Sequence, residues 1–335
     1  MATLNKMTED KQISQLDSDI ERFPIRILSE KTSVGTSTLR AWERRYGLLK
    51  PERTPKGHRL YSDTDVNRVL KILDLLNDGH SLPAITEILS AENTYTRHEN
   101  LYEEDEISIP PSEALSNIWD GFIKSTIEAS IDFNIERIDA VYNEASSLYP
   151  VDMVTDRLVQ PTITILGNRW KEHPDSGIAE EHFYTSWLKN RLGARFHHSY
   201  TQARGTRIIC ACAPGSYHEL GLMLFALSAL ARGYRVLYFG ADLPLNQLHY
   251  ISKRSAAKAV VLSAQSQVDK NINSELSSLL NQLDTPVFMG GSNELINKDE
   301  FQSKGGILLG SNVSVALKVF ESHVPAYSSR QKPNH

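Results

Sequence analysis

The spacing of apolar positions divides the chain into blocks with different periodicity. From about residue 22 to 90, apolar residues recur at three-to-four spacing in short runs, which predicts short helices. The first covers 25–30, Val34-Gly35 is a turn, and Thr36 or Ser37 can cap the next helix. In that second helix Leu39, Trp42 and Tyr46 share one face, while Ser37, Arg40 and Arg44 share another. Gly47 fits the position just past its end. Pro55-Lys56-Gly57 is turn chemistry between two short extended arms, predicting a β-wing. Asp65 opens a helix with an apolar stripe of Val66, Val69, Leu70, Leu73 and Leu76, and Ser81-Leu82-Pro83 opens another.

Residues 91–112 lack such a stripe and end in Pro110-Pro111, so they read as a linker. The pattern from 113 to 203 is helical throughout. From 206 to 325 apolar β-type runs (207–213, 234–239, 259–263, 287–289 and 307–309) alternate with helical stretches (218–231, 245–253, 271–283 and 313–320). Five strands separated by helices predict a small doubly wound parallel sheet, whose ligands normally sit at the carboxyl ends of the strands. The expected fold class is therefore multidomain, α plus α/β. Residues 1–21 read as a disordered arm and 326–335 as a flexible tail.

Charge changes the picture for the first block. The chain carries a net −5, yet between Arg22 and Arg59 ten bases face three acids, a surplus of seven. A basic block in an otherwise acidic chain is the footprint of a phosphate-binding module. Arg40 and Arg44 suit a major groove, with Arg45 beside them; Arg53, Lys56, His58, Arg59 and Tyr61 of the wing are placed near a phosphate backbone. The apolar runs fall short of the ~20 residues needed to cross a bilayer. Cys210 and Cys212 alone do not make a metal site and read as reduced, buried thiols of a cytoplasmic protein. No catalytic triad, P-loop or metal-protease spacing is present, which argues against an enzyme.

The run Leu39-Arg40-x-Trp42-Glu43-Arg44-Arg45-Tyr46-Gly47-Leu48, followed by Pro51-x-Arg53-Thr54-x-x-Gly57-His58-Arg59-Leu60-Tyr61, resembles the MerR-family winged helix-turn-helix. The resemblance implies double-stranded DNA as partner, with Ser37, Arg40, Arg44, Arg45 and the wing residues as contacts. Other members dimerise through a long helix after this module. The acidic, proline-containing stretch here implies instead a homo-oligomer formed through the C-terminal blocks.

At the strand ends of the last block stand Ser216-x-His218-x-x-Gly221, Asp242, Ser263 and Gly290-Gly291, with 42 residues from Gly221 to Ser263 and 27 from Ser263 to Gly290. Together they resemble the cobalamin-binding domain. That resemblance implies His218 as lower ligand to cobalt, and Ser263, Gly290 and Gly291 as the lining of a slot for the cofactor's nucleotide tail. Trp170 and Glu181-His182 in the helical block are similar to the upper-face motif of the light-sensing regulators of carotenoid synthesis, the CarH/LitR type, where a four-helix bundle caps the corrin. There Trp170 would shield an adenosyl group, Glu181 would bond its ribose and His182 would sit against the same face. Adenosylcobalamin is thus the implied cofactor, in a repressor that light would release from DNA.

Four positions depart from the pattern. Ser216 stands where the family has an acid that orients the ligand histidine; Gln265 replaces a leucine; the Trp170 to His182 interval is 12, one longer; and Lys171 replaces a second histidine, for which His173 could substitute. These departures keep open a second reading, a sensor domain that has lost its cofactor and docks a protein partner. A corrinoid methyl carrier fits poorly, since tethering one to a winged helix is hard to rationalise, and a mutase would need a barrel of roughly 250 further residues.

Overall fold

The computed structural model describes residues 21–95, 113–200, 203–264, 270–291 and 294–326. The chain forms two compact units, Met1–Ile118 and Trp119–His335. Gln265 and most of the predicted linker, arm and tail lie outside the described residues.

In the first unit, α1 (Ile25–Thr32) leads through Ser33, in left-handed conformation, to α2 (Thr36–Ala41), which continues as a π-helical turn, Trp42–Tyr46. Gly35, and neither Thr36 nor Ser37, occupies the N-cap, and no side chain caps it. Gly47 ends the segment at φ 63°, a conformation glycine adopts without strain. Strands β1 (Glu52–Arg53) and β2 (Arg59–Leu60) pair antiparallel as the wing. Helix α3 (Asp63–Asn77) starts with a Ser62/Asp65 capping box, and α4 (Leu82–Tyr95) follows. Leu28, Leu39, Trp42, Leu48, Val69, Ile72, Leu76 and Ile85 are buried together. The α3 stripe therefore turns on Ile72, while Leu70, predicted inside, is 42% exposed: it lies one residue, about 100°, off the line of Val69, Ile72 and Leu76.

Four helical rods precede the sheet, the first of them running across the boundary at Ile118. They are α5 (Glu113–Ile131), α6 (Ile135–Leu148), a third rod of α7 (Val151–Val154), a π turn (Thr155–Val159) and α8 (Gln160–Asn168), and α9 (Gly177–Tyr200). Aromatic residues knit them: Trp119 against Tyr149 at 4.7 Å between centroids, and Trp187 against both Tyr142 and Tyr184.

The five predicted strands are all present, as β3 (Arg207–Cys212), β4 (Arg235–Gly240), β5 (Val260–Ser263), β6 (Val287–Gly290) and β7 (Ile307–Gly310). They form one parallel sheet in the order β4-β3-β5-β6-β7. Between them run α10 (Leu220–Ala231), α11 (Gln247–Ser255), α12 (Ile272–Gln282) and α13 (Lys298–Ser303), with α14 (Val313–His323) last. Helix α13 is one the apolar spacing did not predict, being only six residues long with Phe301 as its buried anchor. Cys210 and Cys212 are buried, free thiols in β3, the strand next to the β4 edge. Arg232 at the end of α10 ties sheet to bundle, bonding Asp152 at 2.5 Å and Glu321 at 3.0 Å.

Candidate functional site

In the first unit Ser37, Arg40, Arg44 and Arg45 are exposed on the helix that runs from Thr36 to Tyr46, while its opposite face, Leu39 and Trp42, is fully buried. The wing turn closes with Gly57 N–H donating to Thr54 O at 2.7 Å, with Gly57 at φ 82°, leaving Lys56 and His58 exposed at the tip. Its two arginines do not point freely outward. Glu43 Oε2 accepts from Arg59 Nε at 2.6 Å and Oε1 from Arg53 Nη2 at 3.3 Å, so one carboxylate of the helix holds both strands of the wing. Tyr61 corrects the expectation of a phosphate contact. It is fully buried, its backbone is paired with Phe23, and burial pushes its phenol up to about 12. It belongs to the core beneath the wing.

In the second unit the chain reverses its winding direction between β3 and β5, the place where open α/β sheets bind ligands. Next to it, at the carboxyl ends of β5, β6 and β7, an open cleft is lined by Gly221, Ser263, Gly290, Gly291, Asn312 and Val313, among others. Three predicted residues of the tail slot and Gly221 thus share one cavity. Gly291 has φ 101°, and a Cβ there would collide with the Ala264 carbonyl. Gly290 is less crowded, with Gly310 O 3.5 Å from where its Cβ would stand.

His218 is exposed on the loop after β3. Among the described residues no group of three or more His, Cys, Asp or Glu could hold a bare metal ion. The loop itself is firmly supported. Ser216 is fully buried, and Asp242 reaches it from beyond β4: Gly215 N–H donates to Asp242 Oδ1 at 2.8 Å, Tyr217 Oη to Oδ2 at 3.2 Å, and Asp242 N–H to Ser216 O at 3.2 Å. Next to His218, Glu219 bonds Tyr238 Oη at 2.9 Å and pairs with Lys189 of α9.

That last pair orients the bundle over the loop. Lys189 lies seven residues, or about 10 Å along the axis, from His182 on the same helix face. Trp170 is 49% exposed on a 3₁₀ turn, Arg169–Lys171, His182 is exposed and Glu181 half-buried beside Gly167. The turn is held by an ion pair to the buried Glu180, Arg169 Nε to Oε2 at 2.5 Å, with Ser176 Oγ on the same carboxylate at 2.8 Å. Hydrogen bonding from Arg169 holds the Glu180 carboxyl below its ordinary range. Lys171 is turned to Asn168, at 2.8 Å.

Residues 23–92 match the family model described as MerR HTH family regulatory protein. The chain is 32% identical to the HTH-type transcriptional regulator GlnR of Bacillus anthracis over 98 residues, 29% of this chain and 70% of that protein. It belongs to the MerR family. This MerR-family regulator is also similar to the HTH-type transcriptional repressor CarH of Myxococcus xanthus, at 28% identity over 229 residues, 68% of this chain and 73% of that one. A monomethylamine corrinoid protein of Methanosarcina barkeri aligns structurally over 62% of the regulator and 99% of its own chain, with 15% identity and a TM-score of 0.48.

Glu43 stands within the MerR-type motif, but nothing in the sequence signalled that its carboxylate pairs with Arg53 and Arg59 of the wing. Asp242 was read as a cofactor contact from its place after a strand; the structure engages its carboxylate with the His218 loop. Glu219 was missed altogether, because its partners come from 30 residues upstream and 19 downstream. Among the described residues no helix is long and apolar enough to cross a membrane.

Proposed function

We propose that this DNA-binding transcriptional regulator is a repressor that senses adenosylcobalamin, with light as the signal that releases it from its operator. Residues 22–90 read the DNA, 113–203 cap the cofactor and 206–325 hold it. His218 serves as lower ligand to cobalt; Gly221, Ser263, Gly290 and Gly291 receive the nucleotide tail; Trp170, Glu181 and His182 cover the upper face. Bound there, adenosylcobalamin supplies a cobalt–carbon bond that light can break.

One observation carries the reading. An exposed imidazole, His218, stands three residues before Gly221, which lines a cleft where Gly291 leaves no room for a side chain. A single histidine can ligate only a metal that brings most of its other ligands with it, as a corrin does. The neighbouring cleft supplies room for the part of such a cofactor that must leave the metal. An open cleft with small walls favours a cofactor over the docking of a partner protein, which would use a surface.

Regulation follows if the cofactor binds one homo-oligomeric state better than another. On the DNA side, Arg40, Arg44 and Arg45 enter the major groove, and Lys56 and His58 lie along the backbone. Operator titrations of the full chain test this. With adenosylcobalamin in darkness, affinity rises at least about tenfold over the apo protein, and illumination abolishes the gain. Equal affinity in all three conditions overturns the proposal.

A further inference from the structure

The loop that presents His218 carries a serine, Ser216, at the position where an acid orients the ligand histidine in the domain this chain resembles. Ser216 is fully buried and brings no charge to the loop. A carboxylate is nonetheless present, supplied by another strand connection. Asp242 stands after β4 and engages the three residues preceding His218 one after another, through Gly215 N–H, Ser216 O and the Tyr217 hydroxyl. Its backbone is at φ 54°, a left-handed conformation that Asp and Asn tolerate better than other side-chain-bearing residues.

Two of these bonds go to the loop backbone and the third to the residue adjoining His218. Such a set restrains the loop at 215, 216 and 217, and so limits where the imidazole of 218 can go. The bonds between Asp242 and the loop are reciprocal, the carboxylate accepting and the amide donating.

We propose that Asp242 is the positioning residue for His218, holding the loop at the Gly215 and Ser216 backbone and the Tyr217 hydroxyl so that the imidazole is presented to the cobalt. The inference rests on the cobalamin reading above. Groups that orient a metal ligand typically change affinity by about 10- to 100-fold when removed. Asp242 acts through the backbone, so the low end is expected.

The test uses the full chain as wild type, Asp242→Ala, Asp242→Asn and Tyr217→Phe, with hydroxocobalamin as probe. Asp242→Ala should lose about tenfold in affinity and shift the absorbance spectrum away from the histidine-ligated form. Asp242→Asn should recover most of the loss, because it keeps the backbone preference and one acceptor for Gly215. Tyr217→Phe should fall between wild type and Asp242→Ala. In the apo proteins, amide exchange across residues 214–219 should quicken in Asp242→Ala and little in Asp242→Asn.

Wild-type affinity and spectrum in Asp242→Ala would overturn this inference while leaving the cofactor reading intact. If Asp242→Ala does not fold, wild-type behaviour in Tyr217→Phe together with unchanged loop exchange in Asp242→Asn would overturn it instead. A wild-type chain that takes up no cobalamin would overturn the function proposed above, and this role with it.

Discussion

Arg59 on the second strand of the wing is bonded to Glu43 on the helix before it, Nε to Oε2 at 2.6 Å, and Arg53 on the first strand shares the same carboxylate. An acid among bases proposed to meet phosphate is costly for affinity through simple repulsion. Its geometric return is a wing locked to the helix that carries Arg40 and Arg44. The two effects separate experimentally, because repulsion acts on any DNA and locking only on the correct one. Glu43→Gln should leave non-specific binding unchanged or stronger and weaken operator binding. The ratio of the two affinities should drop about tenfold, of the order expected for a charged hydrogen bond worth ~1.5 kcal/mol. Fluorescence anisotropy with operator and scrambled duplexes at one salt concentration measures both.

Much of this arrangement was legible in the sequence, and the exceptions share a cause. Gly47 at φ 63° and the five strands follow from local rules, turn chemistry and apolar runs, that need no knowledge of neighbours. Tyr61 was misplaced because a two-residue strand has no alternation from which to tell inside from outside. Glu43, Glu219 and Asp242 act across 10 to 30 residues, and a single sequence contains no signal for such pairings. The cleft was legible because glycines and a serine line it: what they contribute is small or missing side chains, which is visible in one dimension.

The glycine pair at the end of β6 should respond unequally to the same change. At Gly291 an alanine meets both a left-handed backbone and the Ala264 carbonyl. Gly291→Ala should therefore cost at least about 2 kcal/mol of stability. At Gly290 a methyl group has ordinary room. Gly290→Ala should fold with nearly wild-type stability but bind cobalamin more weakly, because it narrows the cleft. Thermal melts of the apo proteins, followed by cofactor titration, check both expectations.

Glu180 makes stability depend on acid pH in a defined direction. Its carboxyl is held below 4.5 in the folded state, first by hydrogen bonding from Arg169 and then by Ser176, against the opposing effect of burial. A depressed folded value contributes stability above the unfolded value, and that contribution is lost as pH falls through the window below 4.5. Glu180→Gln should therefore be less stable than wild type at pH 7. The gap should close as pH drops below 4.5. Urea denaturation at several pH values reads the difference; a gap that stayed constant would show that Glu180 does not titrate differently on folding.

The absorbance spectrum of adenosylcobalamin bound to wild type and to His218→Ala tests most directly whether His218 ligates the cobalt. The wild-type chain should retain the cofactor through gel filtration with a histidine-ligated spectrum in darkness, and His218→Ala should lose that form and bind at least about tenfold more weakly. A colourless wild-type fraction, or identical spectra and affinities for the two proteins, would contradict it.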